Sequence, residues 1–433
     1  MRLSHPRLAA YALGAFGTGV FSTVPTVLLL YFCTETLKMP PALAGVAVFL
    51  PKAWALVWDP LVGVWSDRTR TRLGRRRPFL LAGAVLVSAA FLALFAWPYT
   101  TGKDAFVPVA LIYFALANAY SLFAVPFVSV PAEISDEPAE RERVTAWRIG
   151  FAMVGVLIGA GLAPILVQAG GGGRPGYLFM AMIVATICGA GMLSAFLATP
   201  SQTGAAPGKS ANLRESLAAL LTNAPFVKLI AAYVLQLTGI GLISATAPYW
   251  IVDVAGRSEG DVGLALGLLL LVTIASTPVW ALVMRRIGAR ATIAASAFGY
   301  GLATLLFLTL PAHPPTLVTY AVYALIGVPF AGIQVGPFAL AAHLIHAEAE
   351  ASGERREGLF TGLWTAGEKL GLALGPGVAG FGLTLAGFKA GAALQAPETL
   401  HGVTLLMALG PTLFLWLSLA LLMGQRAPEL APA

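Results

Sequence analysis

The fold of this chain is decided by the stretch Trp54-Ala-Leu-Val-Trp-Asp59-Pro-Leu-Val-Gly-Val-Trp-Ser-Asp67-Arg68-Thr-Arg70-Thr-Arg72-Leu-Gly74-Arg75-Arg76-Arg77-Pro78. One carboxylate, Asp59, lies inside its apolar part, which leads directly into a loop with six arginines. A helix that crosses a bilayer needs an apolar interior and collects Lys and Arg at its cytoplasmic edge. The stretch therefore predicts a membrane-spanning helix with Asp59 in its interior and a basic cytoplasmic loop after it.

The composition extends this interpretation to the whole chain. The 433 residues are 58% hydrophobic and 11% charged, with a mean hydropathy of +0.80. A soluble domain is charged at about 25% of its positions. Apolar runs of ~20 residues recur from end to end, which is typical of a membrane protein with many spans. The net charge of +7 therefore belongs to loops at the membrane surface and does not indicate nucleic-acid binding.

Charged and Pro/Gly-rich stretches divide the chain into twelve apolar segments. These are residues 8–33, 41–66, 78–97, 106–131, 145–167, 177–198, 226–252, 262–284, 291–311, 316–346, 358–387 and 402–423. The polar interval Pro200–Ser210 is typical of a flexible linker, and an amphipathic helix is expected over Asn212–Leu221. We predict a six-helix bundle over residues 1–199, a cytoplasmic linker over 200–225 and a second six-helix bundle over 226–433.

The distribution of Lys and Arg predicts the orientation in the membrane. With the N-terminus inside, the cytoplasmic segments hold nineteen of the 27 Lys and Arg residues and the outer loops hold five. The other three, Lys52, Arg148 and Lys369, fall within helices. This is the positive-inside pattern. We expect a multi-pass protein of the plasma (inner) membrane, with both termini cytoplasmic and with Met1–Arg7 leading into a retained first helix.

The two halves of the sequence repeat each other. Pro60-Leu-Val-Gly-Val-Trp65 is matched by Pro278-Val-Trp280, and Val125-Pro-Phe127 is matched by Val328-Pro-Phe330. Because the matches fall at equivalent positions, we predict an all-α membrane protein with twelve transmembrane helices in two pseudo-symmetric halves. Two such halves that rock about a central cavity give secondary transporters their alternating access.

The loop Gly63-x-x-Ser66-Asp67-Arg68…Gly74-Arg75-Arg76 resembles the signature loop of the major facilitator superfamily. The longer pattern Trp58-Asp-Pro-Leu-Val-Gly-x-x-Ser-Asp-Arg-Thr69 is similar to that of the glycoside–pentoside–hexuronide:cation symporters, the family of melibiose permease. So are Val125-Pro-Phe127 and Gly353-Glu-Arg-Arg-Glu-Gly358, with Lys369 after it. The resemblance implies a cation-coupled symporter with the superfamily's fold. It also implies coupling and substrate sites mainly in the N-terminal half, with Lys369 facing them.

Asp59 and Lys369 are the candidate coupling residues. Asp59 lies eight residues from Asp67 and Lys369 eleven residues from Gly358, so both are about 12–16 Å deep at 1.5 Å per residue. An ion pair at that depth reduces the desolvation cost of each partner. It either couples transport, because an arriving cation competes with Lys369 for the carboxylate, or locks two helices structurally.

One titratable carboxylate suffices for a proton, so we expect H⁺ coupling, with no other cofactor. Ser121, which matches a hydroxyl near the family's cation site, keeps Na⁺ as the alternative.

Three further charges have more than one interpretation each. Lys52 lies seven residues before Asp59 on nearly the same helix face, where it tunes the carboxylate, forms an outer gate or snorkels to the interface. Arg148, expected about five residues into the fifth helix, either contacts substrate or an inner gate, or snorkels. Glu368 points about 100° away from Lys369 and is either a second protonatable group or the partner of another helix.

The loop after the second helix is the candidate gate. We expect Asp67, Arg68, Arg75 and Arg76 to form carboxylate–guanidinium contacts that hold the cytoplasmic side shut. A loop that only sets topology explains the arginines. It does not explain why Asp67 and Gly74 stand among them.

Trp54, Trp58, Tyr120, Trp364 and Thr365 are, with Arg148, the candidate substrate-binding residues, although the tryptophans serve equally well in packing. The small-molecule substrate is by family a sugar or glycoside. Sugar-transporting relatives that use sodium carry acids at the positions of Ala55, Gly19 and Ala124, where this chain is neutral. A carrier of a lysolipid or another amphipathic molecule is the alternative.

Other classes of protein find no support in the sequence. There is no phosphate-binding Gly-x-x-x-x-Gly-Lys-Ser/Thr motif and no His-Glu-x-x-His helix, so we predict neither an ATP-driven pump nor an enzyme. Cys33 and Cys188 are too few for a disulfide framework. His343 and His346 share a helix face, but an interfacial role suits them better than a metal site. We expect a monomer in the lipid bilayer.

Overall fold

The protein is described here from a computed structural model that covers residues 4–134, 137–200, 223–352 and 357–423. The first half contains α1 (His5–Val24), α2 (Pro41–Arg68), α3 (Arg77–Ala96), α4 (Phe106–Ile134), α5 (Pro138–Ala169) and α6 (Gly173–Ala198). The second half contains α7 (Ala224–Tyr249), a run Glu259–Leu305, α10 (Thr316–Ser352), α11 (Glu357–Leu385) and α12 (Pro397–Met423). The predicted Asn212–Leu221 helix lies outside the described residues.

The run Glu259–Leu305 is two helices, α8 and α9, that meet at Gly288. Gly288 has φ 80° and ψ 163°, which no helical residue adopts and which glycine tolerates because it lacks a Cβ. With this break, the described residues form twelve α-helices, so the predicted all-α twelve-helix fold is confirmed.

Hydropathy agrees with membrane insertion for most of these helices. Ten helical stretches of the described residues are long and apolar enough to span a bilayer, and Glu259–Thr309, with 51 residues, is long enough for two spans. Helix α11 falls outside this set. Its adjacent charges, Glu368 and Lys369, lower its hydropathy.

The helices group into two compact units. The first unit contains α1–α6 with Ser258–Leu264 and Lys389–Ala393, and the second contains the remaining helices of the C-terminal half. In the first unit α1 packs against α5 and α6, and in the second α7 packs against α11 and α12. The predicted limits of the bundles and linker stay predictions, because residues 201–222 are not described.

The internal repeat is visible in local structure as well. After α1 the chain continues through the π-helical turns Pro25–Leu29 and Phe32–Thr36, and after α7 it continues through the π-helical turn Trp250–Val254. Trp58 of α2 donates its indole N–H to the backbone carbonyl of Asn118 on α4 (3.3 Å), and Trp280 of α8 donates to Val328 on α10 (2.7 Å). The same helix pairs are therefore joined in the same way in both units.

Glycines bring the most closely packed helices together. A Cβ at Gly19 of α1 would lie 2.4 Å from the carbonyl oxygen of Ala152 on α5, and one at Gly155 would lie 2.3 Å from that of Phe16. The second unit has an equivalent crossing, where a Cβ at Gly375 of α11 would lie 2.4 Å from the carbonyl carbon of Gly241 on α7. Any side chain at these positions would force the helix pairs apart.

One predicted boundary is wrong in a way that affects a site residue. The fifth apolar segment was predicted to begin at residue 145, but α5 begins at Pro138. Its first turns carry Glu140, Arg141, Glu142 and Arg143. These charged residues are helical, but their low hydropathy excluded them from the predicted apolar segment. Arg148 therefore lies ten residues from the start of its helix, about 15 Å along the axis.

Replacing Gly155 with Ala tests the α1–α5 crossing. We expect Gly155→Ala to destabilise the first unit by about 1–3 kcal/mol, because the new methyl group overlaps the backbone of α1. The readout is the Tm of the purified protein in detergent. Gly150→Ala in the same helix is the control, since nothing lies within 4 Å of its Cβ position. Equal Tm values for the two variants would contradict the close crossing.

Candidate functional site

Helix α2 carries Asp59 in its interior. Nine residues separate Asp59 from the end of the helix at Arg68, about 13 Å along the axis. The side chain is half-buried and its Oδ1 atom is buried. Pro60 follows it and has no N–H, so the helix cannot complete the hydrogen bond to the carbonyl of Leu56. A titratable carboxylate and an irregular stretch of backbone thus occur within one turn of α2.

Asn118 of α4 holds the two tryptophans of α2. Its side-chain oxygen accepts the indole N–H of Trp54 (3.1 Å), and its backbone carbonyl accepts that of Trp58 (3.3 Å). Its amide donates to the carbonyl of Phe114 (2.7 Å), whose ring lies 5.6 Å from that of Trp54. Sequence reasoning missed Asn118, although a lone amide inside a spanning helix is itself a signal of interhelical bonding. The indole N–H groups are used within the α2–α4 pair, so Trp54 and Trp58 offer only ring faces to a solute.

The other two candidates on α4 face different surroundings. Ser121 is buried and donates its hydroxyl to the carbonyl of Ala117 (3.1 Å). A cation at this site would meet only the hydroxyl's lone pairs. Tyr120 is half-buried and donates to the carbonyl of Thr18 on α1 (3.4 Å), so it links α4 to α1.

The candidate gate contains an ion pair with one buried and one exposed partner. Arg76 donates to Asp67 (2.5 Å) and to the hydroxyl of Ser66 (2.5 Å), and its side chain is 7% exposed, whereas that of Asp67 is 48% exposed. This contact ties the end of α2 to the start of α3. Gly74 has φ 93°, a left-handed conformation that explains a glycine among the arginines. Arg68 is exposed, whereas Arg75 is half-buried, with a buried Nε atom.

Two cations lie inside the helices of the first unit. Lys52 on α2 is half-buried and donates to the hydroxyl of Thr26 (2.5 Å). Arg148 on α5 is half-buried, and its Nε atom is buried without a hydrogen-bond partner among the described residues. Arg148 lies close enough to the buried Tyr11 of α1 to interact with it electrostatically.

In the second unit the structure separates the candidates of α11 by face. Trp364 is buried and stacks on Tyr233 of α7, with ring centroids 4.3 Å apart. Glu368, one turn further, is half-buried and interacts electrostatically with Tyr233. Thr365 is exposed and Lys369 is half-buried. Trp364 therefore faces the packed interior of the unit, and Glu368 lies near the same tyrosine. Asp59 and Lys369 belong to different units, and their pairing stays a prediction.

The histidines of α10 form no cluster in the described part of the chain. His343 is exposed, and the side chain of His346 lies outside the described residues. No group of three His, Cys, Asp or Glu side chains suited to a metal ion occurs among the described residues.

Comparison with known proteins places these features in a family context. Residues 10–424 match a family model described as "MFS/sugar transport protein". The chain is 27% identical over 429 residues to the glucuronide carrier protein homolog of Escherichia coli (strain K12), covering 97% of this chain and 92% of that protein. It is 24% identical over 455 residues to the sphingosine-1-phosphate transporter MFSD2B of Mus musculus, covering 99% and 90%.

A solved structure shares the fold. The crystal structure of a bacterial homolog of the human lysosomal transporter Spinster superposes with a TM-score of 0.74. The alignment covers 97% of each chain at 15% sequence identity.

A double-mutant cycle tests the Asp67–Arg76 contact. We expect Asp67→Asn and Arg76→Gln each to lower the Tm, and the double variant to lose less than the sum of the two. The interaction is expected to be worth about 1 kcal/mol, because half-exposure of Asp67 screens the pair. Arg72→Gln, at an exposed arginine of the same loop, is the control. Strictly additive losses would show that the pair contributes nothing.

Proposed function

Because this chain belongs to the MFS/sugar transport protein family, whose members are membrane transporters and not enzymes, we propose that it is a proton-coupled symporter. Its solute is a small organic molecule, and Asp59 is the carboxylate that carries the coupled proton. The observation that carries this proposal is the place of Asp59 in the interior of α2 with Oδ1 buried.

A carboxylate at that depth indicates a functional site, because its charge is costly in the bilayer. A charged side chain in the bilayer core costs about 2.5–3.5 kcal/mol on insertion scales. Protonation removes the charge of Asp59 and therefore removes that cost. The free-energy cost of moving α2 within the bilayer is therefore lower when the acid is neutral. Pro60 supports the same function, because a proline-interrupted helix bends more easily than an intact one.

The surroundings of Asp59 favour a proton over sodium. Sodium requires several oxygen ligands, whereas Asp59 is the only acidic residue of α2 before Asp67 at its end. The position one turn earlier is Ala55. The hydroxyl of Ser121 already donates to its own helix, although its lone pairs keep the sodium alternative testable.

Two substrate classes are supported, and each has an observation behind it. The family description names sugar transport, and one relative is named as a glucuronide carrier homolog. The similarity to a sphingosine-1-phosphate transporter supports an amphipathic lipid. The neutral Gly19 and Ala124 favour the lipid, because they remove polar groups that would hold sugar hydroxyls. Uptake assays should therefore include glycosides and lysolipids side by side.

Asp59→Asn is the decisive variant. We expect it to abolish accumulation against a gradient in proteoliposomes energised by an inward pH gradient, because Asn cannot carry a proton. Exchange of labelled for unlabelled solute in the absence of a gradient should persist. Asp104→Asn, at an exposed acid in the turn before α4, is the control and should accumulate solute as the wild type does. Undiminished accumulation by Asp59→Asn would refute the coupling assignment, and uptake that follows sodium but not pH would refute the choice of ion.

A further inference from the structure

Arg77, the first residue of α3, carries a charge that no described side chain balances. Its guanidinium lies over the ring of Phe196 on α6, with Cζ 4.6 Å from the ring centroid. Among the described residues Arg77 forms neither a hydrogen bond nor an ion pair, and its Nε atom is buried. An arginine stays protonated in proteins. Its charge is therefore balanced by solvent, by lipid or by a part of the chain outside the described residues.

The length of α3 places Arg77 at the level of the lipid headgroups. The helix has 20 residues and so spans about 30 Å, the thickness of the hydrocarbon core. The exposed Trp97 directly follows its last residue, and near Arg77 the exposed Trp65 of α2 packs edge-on against Phe79 (5.1 Å). Tryptophan is enriched at both membrane–water boundaries. Both ends of α3 therefore lie at a membrane surface, and Arg77 lies on the side predicted to be cytoplasmic.

The helices around this end of α6 supply no carboxylate. The helix α6 packs against both α1 and α3, and none of these three helices contains an Asp or a Glu. Helix α1 brings a second cation instead, because Arg7 donates its Nε–H to the carbonyl of Ala198 (2.8 Å). In the loop before α3, Asp67 is already paired with Arg76. Two arginines thus flank the end of α6, and the helices that carry them offer no anion.

The surface beside Arg77 suits an amphiphile better than a soluble anion. Leu193 and Leu197 of α6 are exposed and lie within one turn of Phe196. Acyl chains pack on such side chains, and a phosphate at the headgroup level meets the guanidinium. The segment that follows α6 is a poorer match, because residues 201–222 contain two cations and one acid.

We propose that Arg77 binds the headgroup phosphate of an anionic phospholipid between the ends of α3 and α6. The acyl chains then lie along the exposed leucines of α6. A guanidinium stacked on an aromatic ring presents its N–H edge to two oxygens of such a group. Basic sites at the cytoplasmic ends of spanning helices bind anionic headgroups in this way. The proposal depends on neither the transported solute nor the coupling ion.

Native mass spectrometry of the purified full-length protein tests this site without a transported solute. The protein is titrated in detergent with phosphatidylglycerol or with phosphatidylcholine of the same palmitoyl and oleoyl chains, so that only the headgroup differs. We expect the first phosphatidylglycerol to bind about 5- to 10-fold more tightly, the range for one arginine at a lipid surface. Inorganic phosphate at the same concentration should not compete, because it lacks the chains that contact the exposed leucines.

Variants assign the preference to Arg77. We expect Arg77→Gln to remove most of it and Arg77→Lys to keep part of it as a point charge. Phe196→Leu changes no charge but should also weaken the preference, because the ring holds the guanidinium in place. The controls are Arg72→Gln, at an exposed arginine before α3, and Phe179→Leu, at an exposed phenylalanine of α6. Both controls should bind as the wild type does. If Arg77→Gln does not fold, Arg77→Lys and Phe196→Leu decide.

Several outcomes would overturn the proposal. These are equal binding of the two lipids, competition by inorganic phosphate, a preference that survives Arg77→Gln or Phe196→Leu, and an equal loss in Arg72→Gln, which would indicate diffuse attraction. Two acids whose side chains lie outside the described residues, Glu133 and Glu215, are the competing partners of Arg77. We expect Glu133→Gln and Glu215→Gln to leave the preference unchanged. A preference that is absent in the wild type and appears in either variant would assign Arg77 to that acid and exclude the lipid.

Discussion

The cost of charge in hydrocarbon is the constraint on which this molecule depends. Each ionised group in the bilayer core costs about 2.5–3.5 kcal/mol on insertion scales, and only 11% of the residues are charged at all. Five of these nevertheless lie inside helices: Lys52, Asp59, Arg148, Glu368 and Lys369. The other charges of the described residues lie in loops and near helix ends, where Arg76 and Asp67 pair. The interior charges are therefore the residues in which function must be sought.

The internal repeat shows how two of these charges are related. Arg148 lies seven residues before Gly155 on α5, and Lys369 lies six residues before Gly375 on α11. Both glycines are at the crossing of their helix with the first helix of the unit, α1 or α7. In each unit, therefore, a helix that crosses the first helix closely carries a cation six or seven residues before the glycine of that crossing. The units differ in their acids, since Asp59 is on the second helix of the first unit and Glu368 is beside Lys369.

The architecture could be predicted from the sequence because only a few kinds of fold can span a membrane. Apolar length and the distribution of arginines predicted twelve helices, and the family model and the fold agree. The start of α5 was predicted seven residues too late, because its charged first turns are helical outside the apolar window. Hydropathy predicts which residues lie in the hydrocarbon core of the membrane. A helix can begin several residues before that core, so hydropathy does not predict its first residue.

The candidate site was less predictable, since it depends on contacts between helices. The sequence identified Asp59 and Arg148 as charges in apolar segments. It did not reveal that Asn118 engages the indoles of both Trp54 and Trp58, or that Trp364 is buried against Tyr233. Gly19 was recognised as a lost polar position, whereas its backbone contact with α5 became visible only in the structure. A tertiary contact of this kind leaves no periodic pattern along one chain.

The proposed function requires that Asp59 carries a proton together with the solute. The most direct measurement is proton movement driven by the solute itself, followed with a pH-sensitive dye trapped in proteoliposomes at zero membrane potential and without sodium. If Asp59 carries the proton, an inward gradient of a transported solute acidifies the lumen of wild-type vesicles and leaves the lumen of Asp59→Asn vesicles unchanged. Solute entry without acidification in the wild type, or equal acidification in the variant, would contradict it.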